Sequence, residues 1–225
     1  MNASHSYIDL HTHKPGKPGV KSLQNIFLSD FEKFSGTKDQ LLSVGLHPWR
    51  VRGQEDPDLL FQQLKFAAGY QQVAAIGETG LDKSIEMPLE RQEAVFNIHF
   101  EVSEELQKPL IIHCVRAYQE LLLLRKNLGA TQPWIFHGFA GSAQLARQCI
   151  NSGCLLSFGP AILKDHNRAV HSLISLGIDE FFLETDDSGL DIAEIYERAA
   201  LLKQTTVEVL RERIAERFHK IIIQE

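Results

Sequence analysis

Cysteine is scarce in this chain, which has Cys114, Cys149 and Cys154 among its 225 residues. An odd number without a Cys-x-x-Cys pair argues against a disulfide framework and a zinc knuckle, and it suits a reducing compartment. Positive charge is not in excess either, because 23 Lys and Arg stand against 29 Asp and Glu and give a formal net charge of −6. Any contact with a nucleic acid therefore requires a local basic patch or bound cations.

Long apolar runs are also missing from the sequence. Runs such as 121–124 are far shorter than the roughly 20 residues that cross a bilayer as a helix. The first ten residues, MNASHSYIDL, contain no charged segment followed by an apolar one, so the sequence predicts no signal peptide. We therefore expect a cytoplasmic protein that contacts no membrane, and nothing in the sequence indicates an obligate protein partner.

Short apolar segments alternate with helical patterns along the chain, and 44% hydrophobic residues are enough for a large core. The predicted strands are centred near Ile8, Ile26, Val44, Ala75, Ile111, Ile135, Leu156 and Leu183. Helices are predicted over 56–72, 88–107, 118–128, 142–152, 167–176, 192–202 and 206–223. Eight such units predict a single-domain (β/α)8 TIM barrel over 1–225, with its active site at the carboxyl ends of the strands. A doubly wound open sheet is the rival fold, because periodicity does not separate the two.

Polar residues stand where these strands end. His11 and His13 are two positions apart, so both imidazoles project to one side of the first strand, as does Asp9. The same strand-end position is occupied further along by Glu78, His113, His137 and Asp186. Strand ends converge in a barrel, and four imidazoles with two carboxylates form a ligand set for two divalent metal ions. Asp9 lies one layer deeper than the histidines and is predicted to have a structural role.

Six sequence blocks contain these residues. They are DLHTH at 9–13, VGLHP at 44–48, AIGETGLD at 75–82, IIHC at 111–114, FHGF at 136–139 and LETD at 183–186. In this order the blocks resemble the TatD family of metal-dependent deoxyribonucleases, which belongs to the amidohydrolase-like TIM barrels. The blocks extend over almost the whole chain, and the GETGLD segment is the most specific of them.

The resemblance implies a role for each strand-end residue. It implies that His11, His13 and Asp186 hold one metal ion, that His113 and His137 hold the other, and that Glu78 bridges the two. Glu78 and Asp186 are then the catalytic residues, with Asp186 orienting the attacking water or acting as general base. The implied reaction is hydrolysis of phosphodiester bonds in DNA, as a 3′-to-5′ exonuclease acting on single strands or 3′ ends. The ligands leave Mg²⁺, Mn²⁺ and Zn²⁺ open.

Three further residues are predicted to contact the substrate. His47 follows a strand and can donate a hydrogen bond to a phosphate, and Lys164 resembles a phosphate contact of the family. Arg116 is the third, although the family often places Arg-Asp directly after His-Cys, whereas Val115 intervenes here. Trp49 can stack on a base, and packing of its ring over the rim is the alternative.

The chain departs from the family pattern in two loops. Residues 14–46 leave less chain between His13 and His47 than is usual, and the Lys-Pro-Gly-Lys-Pro-Gly segment at 14–19 replaces a first helix. After Asp186 the usual Pro and the longer loop with an Arg-Asn pair are missing. These shortened loops keep a second hypothesis open, a hydrolase of small phosphoesters, lactones or amides. A third hypothesis is a non-catalytic metal-binding or scaffold protein, which complete ligands argue against.

Overall fold

A computed structural model describes residues 6–34 and 40–224 of the chain. The described residues form eight strands: β1 (Tyr7–Thr12), β2 (Val20–Phe27), β3 (Leu41–Gly45), β4 (Val73–Asp82), β5 (Leu110–Val115), β6 (Trp134–Phe136), β7 (Cys154–Phe158) and β8 (Phe181–Leu183). They lie in one sheet in the order in which they occur in the chain. Each predicted strand centre falls within one of them.

Helices follow the strands along the chain. The described residues contain α1 (Pro57–Ala68), α2 (Leu89–Leu106), α3 (Tyr118–Leu128), α4 (Ala143–Asn151), α5 (Arg168–Ser175), α6 (Ile192–Lys203) and α7 (Val207–Phe218). Short 3-10 helices cover Leu28–Lys33, Pro48–Arg50 and Pro160–Leu163, and a π turn, His219–Ile223, follows α7. Among these described helices, none is both long and apolar enough to cross a membrane.

Local signals account for where several helices begin. Asp56 accepts a hydrogen bond from the backbone N–H of Leu59 and is followed by Pro57, whose fixed φ suits a first turn. Asp191 and Glu194 form a capping box at the start of α6. α1 ends at Ala68, four residues before the end predicted for it, because the chain leaves the helix at Gly69.

The chain divides into two compact units, Met1–Gln24 with His137–Glu225, and Asn25–Phe136. The first unit has a fully buried aromatic cluster in which Phe158 makes edge-on ring contacts with Phe139 at 5.6 Å and Phe181 at 6.0 Å. In the second unit Trp134 is fully buried, with Phe96 edge-on at 5.0 Å. The single-domain organisation over 1–225 stays a prediction.

Within the first unit, the ends of β1 and of the segment after β8 pair directly. Asp186 N donates to His11 O at 2.9 Å, and His13 N donates to Asp186 O at 3.3 Å. The first strand thus pairs in parallel with the residues that follow the last strand. An open doubly wound sheet has its strands out of sequence order, so these pairings and the sheet order count against the rival fold.

His99 on α2 holds the end of β3 in the second unit. The ring is fully buried, its Nε2 accepts from Leu46 N at 2.9 Å, and its Nδ1 lies 2.8 Å from Val95 O. This pair of contacts requires neutral imidazole with the proton on Nδ1. Burial disfavours the imidazolium and lowers the pKa of His99 to about 4.

We expect His99 to make the fold acid-sensitive. Between pH 6.5 and about 4, His99 binds a proton in the unfolded chain but stays neutral in the folded protein. The free energy of unfolding therefore falls as the pH falls. The wild type should lose about 2 to 3 kcal/mol more than His99→Gln between pH 7.5 and 4.5. Urea unfolding of both proteins at the two pH values measures these losses of stability. Carboxylates that titrate equally in both proteins contribute equally to both losses, so they do not affect the difference between the two proteins. Equal losses would show that His99 is charged in the folded state.

Candidate metal centre

Three histidines and one carboxylate meet in the first unit. Oδ1 of Asp186 lies 3.7 Å from Nε2 of His11 and 3.6 Å from Nε2 of His13. The ring of His137 lies 4.2 Å from that of His11, and ligand atoms of His11, His137 and Asp186 lie within 4.8 Å of one another. We call these four residues the histidine–Asp186 group.

Asp9 fixes the residue that precedes Asp186. Its carboxylate accepts hydrogen bonds from Thr185 N at 2.9 Å and Thr185 Oγ1 at 2.6 Å. Burial outweighs these bonds and raises the pKa of Asp9 to about 7. Asp186 itself has φ of 52°, a left-handed conformation that Asp tolerates better than most residues. This supports the prediction that Asp9 is structural.

Glu184 is the fully buried acid beside His137. Its Oε1 accepts from Gly138 N at 2.6 Å and lies 3.6 Å from Nδ1 of His137. Burial alone raises the pKa of Glu184, but its contacts with His137, His11 and Ser157 lower it overall. An anion at this place favours a proton on Nδ1 of His137, which leaves Nε2 as the atom for a metal ion.

In the second unit, two histidines converge on Glu78, and we call His47, Glu78 and His113 the Glu78 group. Oε1 of Glu78 is 3.1 Å from Nε2 of His47 and 3.1 Å from Nδ1 of His113. Glu78 is 4% exposed, so its charge is almost entirely removed from bulk water. A buried carboxylate needs compensating partners, and the two imidazoles supply them on one oxygen.

The opposite side of Glu78 is held by an amide. Asn25 Oδ1 accepts from Glu78 N at 2.8 Å, and Asn25 Nδ2 donates to Glu78 Oε2 at 3.4 Å. Ser43 Oγ donates to the same Asn25 Oδ1 at 3.2 Å. Because Asn25 engages Oε2, Oε1 is the oxygen that faces the histidines.

Asp82 orients His113 through its second nitrogen. Oδ2 of Asp82 lies 3.1 Å from Nε2 of His113 and accepts from Nε1 of Trp49 at 2.7 Å. Burial raises the pKa of Asp82, but hydrogen bonds from Ser84, Trp49 and His113 outweigh it and hold the pKa at about 2. The carboxylate therefore stays charged, accepts the Nε2 proton of His113 and leaves Nδ1 as the ligand atom.

His47 has the opposite arrangement. Its Nδ1 accepts a hydrogen bond from Trp49 N at 3.1 Å, so neutral His47 has its proton on Nε2, directed at Glu78. A ring nitrogen with a proton cannot bind a metal ion. Although its ligand atoms lie close enough for coordination, hydrogen bonding makes His47 a donor, which supports the prediction of a substrate contact.

The histidine–Asp186 group fits a divalent metal ion, and so do Glu78 and His113 of the Glu78 group. Ligands about 2.1 Å from a tetrahedral ion are about 3.4 Å apart. The measured separations of 3.6 and 3.7 Å around Asp186 and 3.1 Å between Glu78 and His113 are close to this value. Imidazole is a usual ligand of Zn²⁺, whereas carboxylate oxygen suits Mg²⁺ and Mn²⁺, so a mixed set of this kind leaves all three ions open.

The structure brings ligand atoms of His137 close to those of His11 and Asp186. The family resemblance implies that His137 shares an ion with His113, and that assignment stays a prediction. Lys164 follows the 3-10 helix after β7, and Arg116 follows β5; both are exposed. Their substrate contacts, the bridge by Glu78 and the catalytic role of Asp186 stay predictions.

Sequence reasoning overlooked the residues that hold the ligands. Asn25, Asp82, Glu184 and Thr185 are buried and polar, and each bonds to a ligand or to its neighbour. Asp82 and Glu184 stand at strand ends within the AIGETGLD and LETD blocks. The strand-end position that indicated the metal ligands therefore also marks these two residues. Asn25 lies inside β2 without such a signal.

A sheet of eight strands in sequence order with imidazole and carboxylate ligands after the strands is typical of metal-dependent barrel hydrolases. The structure of YjjV, a TatD homologue from Escherichia coli, superposes with a TM-score of 0.85 at 20% identity, over 96% of this chain and 98% of that one. A TatD family hydrolase from Entamoeba histolytica gives 0.81 at 16% identity, over 99% of both chains. These likenesses confirm the (β/α)8 barrel fold.

The family model "TatD related DNase" matches residues 20–222, so the chain belongs to the TatD family of metal-dependent hydrolases. It is 31% identical over 147 residues to a Bacillus subtilis protein named "Uncharacterized metal-dependent hydrolase YabD", covering 64% of this chain and 57% of that relative. It is 32% identical over 198 residues to the Danio rerio protein "Putative deoxyribonuclease tatdn3", covering 78% and 72%. The predicted family resemblance is confirmed.

Proposed function

We propose that this protein is a metal-dependent phosphodiesterase that releases nucleotides from the 3′ ends of DNA. The family model and the name of the Danio rerio relative support DNA as the substrate class. The observation that carries the choice of DNA over a small ester is an exposed aromatic ring fixed beside the Glu78 group. Trp49 is 68% exposed, yet its N–H is anchored to Asp82 at 2.7 Å.

Each ligand group has a defined part in this proposal. His11, His13, His137 and Asp186 would hold one divalent ion, and Glu78 with His113 would hold the other. When bound, divalent ions polarise a phosphoryl oxygen and lower the pKa of a bound water molecule to near neutral. The negative charge of Asp82 and Glu184 balances the charge that such ions bring into the protein.

The protein side chains would orient the substrate and move the proton. The side chain of Asp186 is 38% exposed and can accept the proton of the attacking water. The Nε2–H of His47, which is directed at Glu78 in the structure, would turn to an oxygen of the scissile phosphate. Trp49, whose ring lies 5.3 Å from His47, would stack on the base next to that phosphate.

A metal-by-substrate comparison tests the function. Protein stripped of metal is reconstituted with Mg²⁺, Mn²⁺ or Zn²⁺ and supplied with end-labelled single-stranded DNA or with bis(p-nitrophenyl) phosphate. We expect metal-dependent release of mononucleotides from the 3′ end, together with slower hydrolysis of the small diester. Turnover of small phosphoesters, lactones or amides with intact DNA would instead support the second hypothesis, and inactivity with every metal and substrate would contradict both.

Trp49 offers a matched pair of variants. Trp49→Ala removes the stacking surface and should raise KM for single-stranded DNA about tenfold, because one stacked base contributes about 1 to 3 kcal/mol. Trp49→Phe keeps an aromatic face without the indole N–H and should retain most of the affinity. Neither variant should raise KM for an abasic single-stranded oligonucleotide to the same extent, since this substrate lacks nucleobases. An equal rise for both substrates would assign Trp49 to holding Asp82 alone.

A further inference from the structure

Two lysines of the loop after His13 lie against the segment that follows Asp186. Nζ of Lys14 donates to Ser188 O at 2.8 Å. Nζ of Lys17 lies 3.5 Å from Oδ2 of Asp191, the residue that caps α6. The Lys-Pro-Gly loop and the residues after Asp186 are the two places where the chain departs from the family pattern, and in the structure they touch.

A small cavity lies beside these contacts, lined by residues of both segments. Its volume is about 60 Å³, several times the 10 to 15 Å³ that one water molecule needs on this measure. Both lysines line it, together with the polar residues Asp9, Thr12, Ser22, Thr185 and Ser188. The cavity has room for a group the size of phosphate, and the two ammonium groups are the cationic hydrogen-bond donors of its lining.

The carboxylate of Asp9, which lines the cavity, and that of Asp191, which pairs with Lys17, already have partners. Both oxygens of Asp9 accept hydrogen bonds from Thr185, and Asp191 accepts from Ala193 N beside Lys17. An ammonium group has three N–H donors, so the single bond from Lys14 to Ser188 leaves two for an anion. Asp187, next to Asp186 in the chain, is exposed. Water screens its charge, so it repels a bound anion less than a buried carboxylate would.

The cavity is connected to the histidine–Asp186 group through Thr12. Thr12 Oγ1 lies 3.5 Å from Asp186 O as a donor and accepts from Lys14 N at 3.3 Å. Lys14 also follows His13 directly in the chain. An anion bound by Lys14 would therefore lie next to the metal ligands rather than at an unrelated surface.

We propose that Lys14 and Lys17 form a subsite for a second phosphate of the substrate, a terminal phosphate monoester beside the diester that is hydrolysed. The inference rests on the proposed function. A monoester has up to two negative charges near neutral pH, which matches two ammonium groups, whereas a diester has one. Charge-assisted hydrogen bonds from lysine to phosphate oxygens provide the preference.

Binding to the metal-free protein tests the subsite without any turnover. Isothermal titration compares the thymidine dinucleotide TpT with its 5′-phosphorylated and 3′-phosphorylated forms. We expect the wild type to bind one phosphorylated form at least about tenfold more tightly than TpT, and the double variant Lys14→Ala/Lys17→Ala to lose this preference. Lys65→Ala, which breaks an exposed ion pair with Glu105, is the matched control and should keep it.

Equal affinity for the three ligands, no binding of any of them, or a preference that survives in the double variant overturns the subsite. Both lysines are exposed, so the variants should keep the circular dichroism spectrum and melting temperature of the wild type. In the metal-loaded enzyme, the advantage in kcat/KM for the preferred dinucleotide over TpT should fall to about one in the double variant. A binding preference without DNA cleavage would support the subsite and refute the nuclease, whereas cleavage without the preference would do the reverse.

Discussion

Replacing Glu78 with glutamine should lower kcat/KM for a phosphodiester at least about a thousandfold. The substitution keeps the size of the side chain but removes the charge that faces His47 and His113 at 3.1 Å. Polarisation by a bound divalent ion is worth several kcal/mol, and each 1.4 kcal/mol is a factor of ten in rate. Initial rates at saturating metal, with elemental analysis of the dialysed protein, measure activity and metal content together.

The control is Glu120→Gln, which changes an exposed carboxylate paired with Lys83 on the surface. This variant should keep the wild-type rate and metal content. If Glu78→Gln retained more than a tenth of the wild-type activity, Glu78 would not be a metal ligand that matters for the reaction. If Glu78→Gln kept its metal but lost its activity, Glu78 would act in the reaction without being needed to retain the metal.

Gly80→Ala should lower the free energy of unfolding by more than about 4 kcal/mol. A Cβ at Gly80 would lie 1.9 Å from the carbonyl oxygen of His113, which is backbone and cannot rotate away. Gly80 also has φ of +150°, which other residues rarely adopt. β4 and β5 pair at these two residues, so relief of the clash requires the strands to separate beside a metal ligand. The free energy of unfolding, measured with denaturant, and the metal content of the purified protein should both fall.

Gly129→Ala distinguishes steric conflict from backbone strain. Gly129 has φ of +62°, but an added Cβ there has no atom within 4 Å. This variant should lose only about 1 to 2 kcal/mol, the cost of a left-handed conformation for a residue with a side chain. Similar losses of unfolding free energy in Gly80→Ala and Gly129→Ala would mean that β4 and β5 can move apart at Gly80 and His113 at little cost.

Much of the site could be predicted because its ligands follow apolar runs. A strand with a period of two places His11 and His13 on one side, and the structure brings both to Asp186. The order of strands in the sheet also followed from their order in the chain. These features depend on local pattern, which a single sequence contains.

The assignment of histidines to ions depends on side-chain direction and could not be predicted in this way. The resemblance to the TatD family implies one ion for His113 and His137, and this assignment stays a prediction. The ring of His137 lies 4.2 Å from that of His11. Asn25 was missed for a related reason, since its partner Glu78 is 53 positions away and no periodic signal marks it.

The hydrogen bonds between Asp9 and Thr185 have a consequence for synthesis of the protein on the ribosome. They join residues 176 positions apart, so the histidine–Asp186 group is completed only when almost the whole chain has left the exit tunnel. The contacts of the Glu78 group extend only from Asn25 to His113, within one continuous unit. Because shorter loops close at lower entropic cost, the nascent chain should acquire the Glu78 group first. An N-terminal product ending before β8 would contain the complete Glu78 group but would lack Asp186 of the other group.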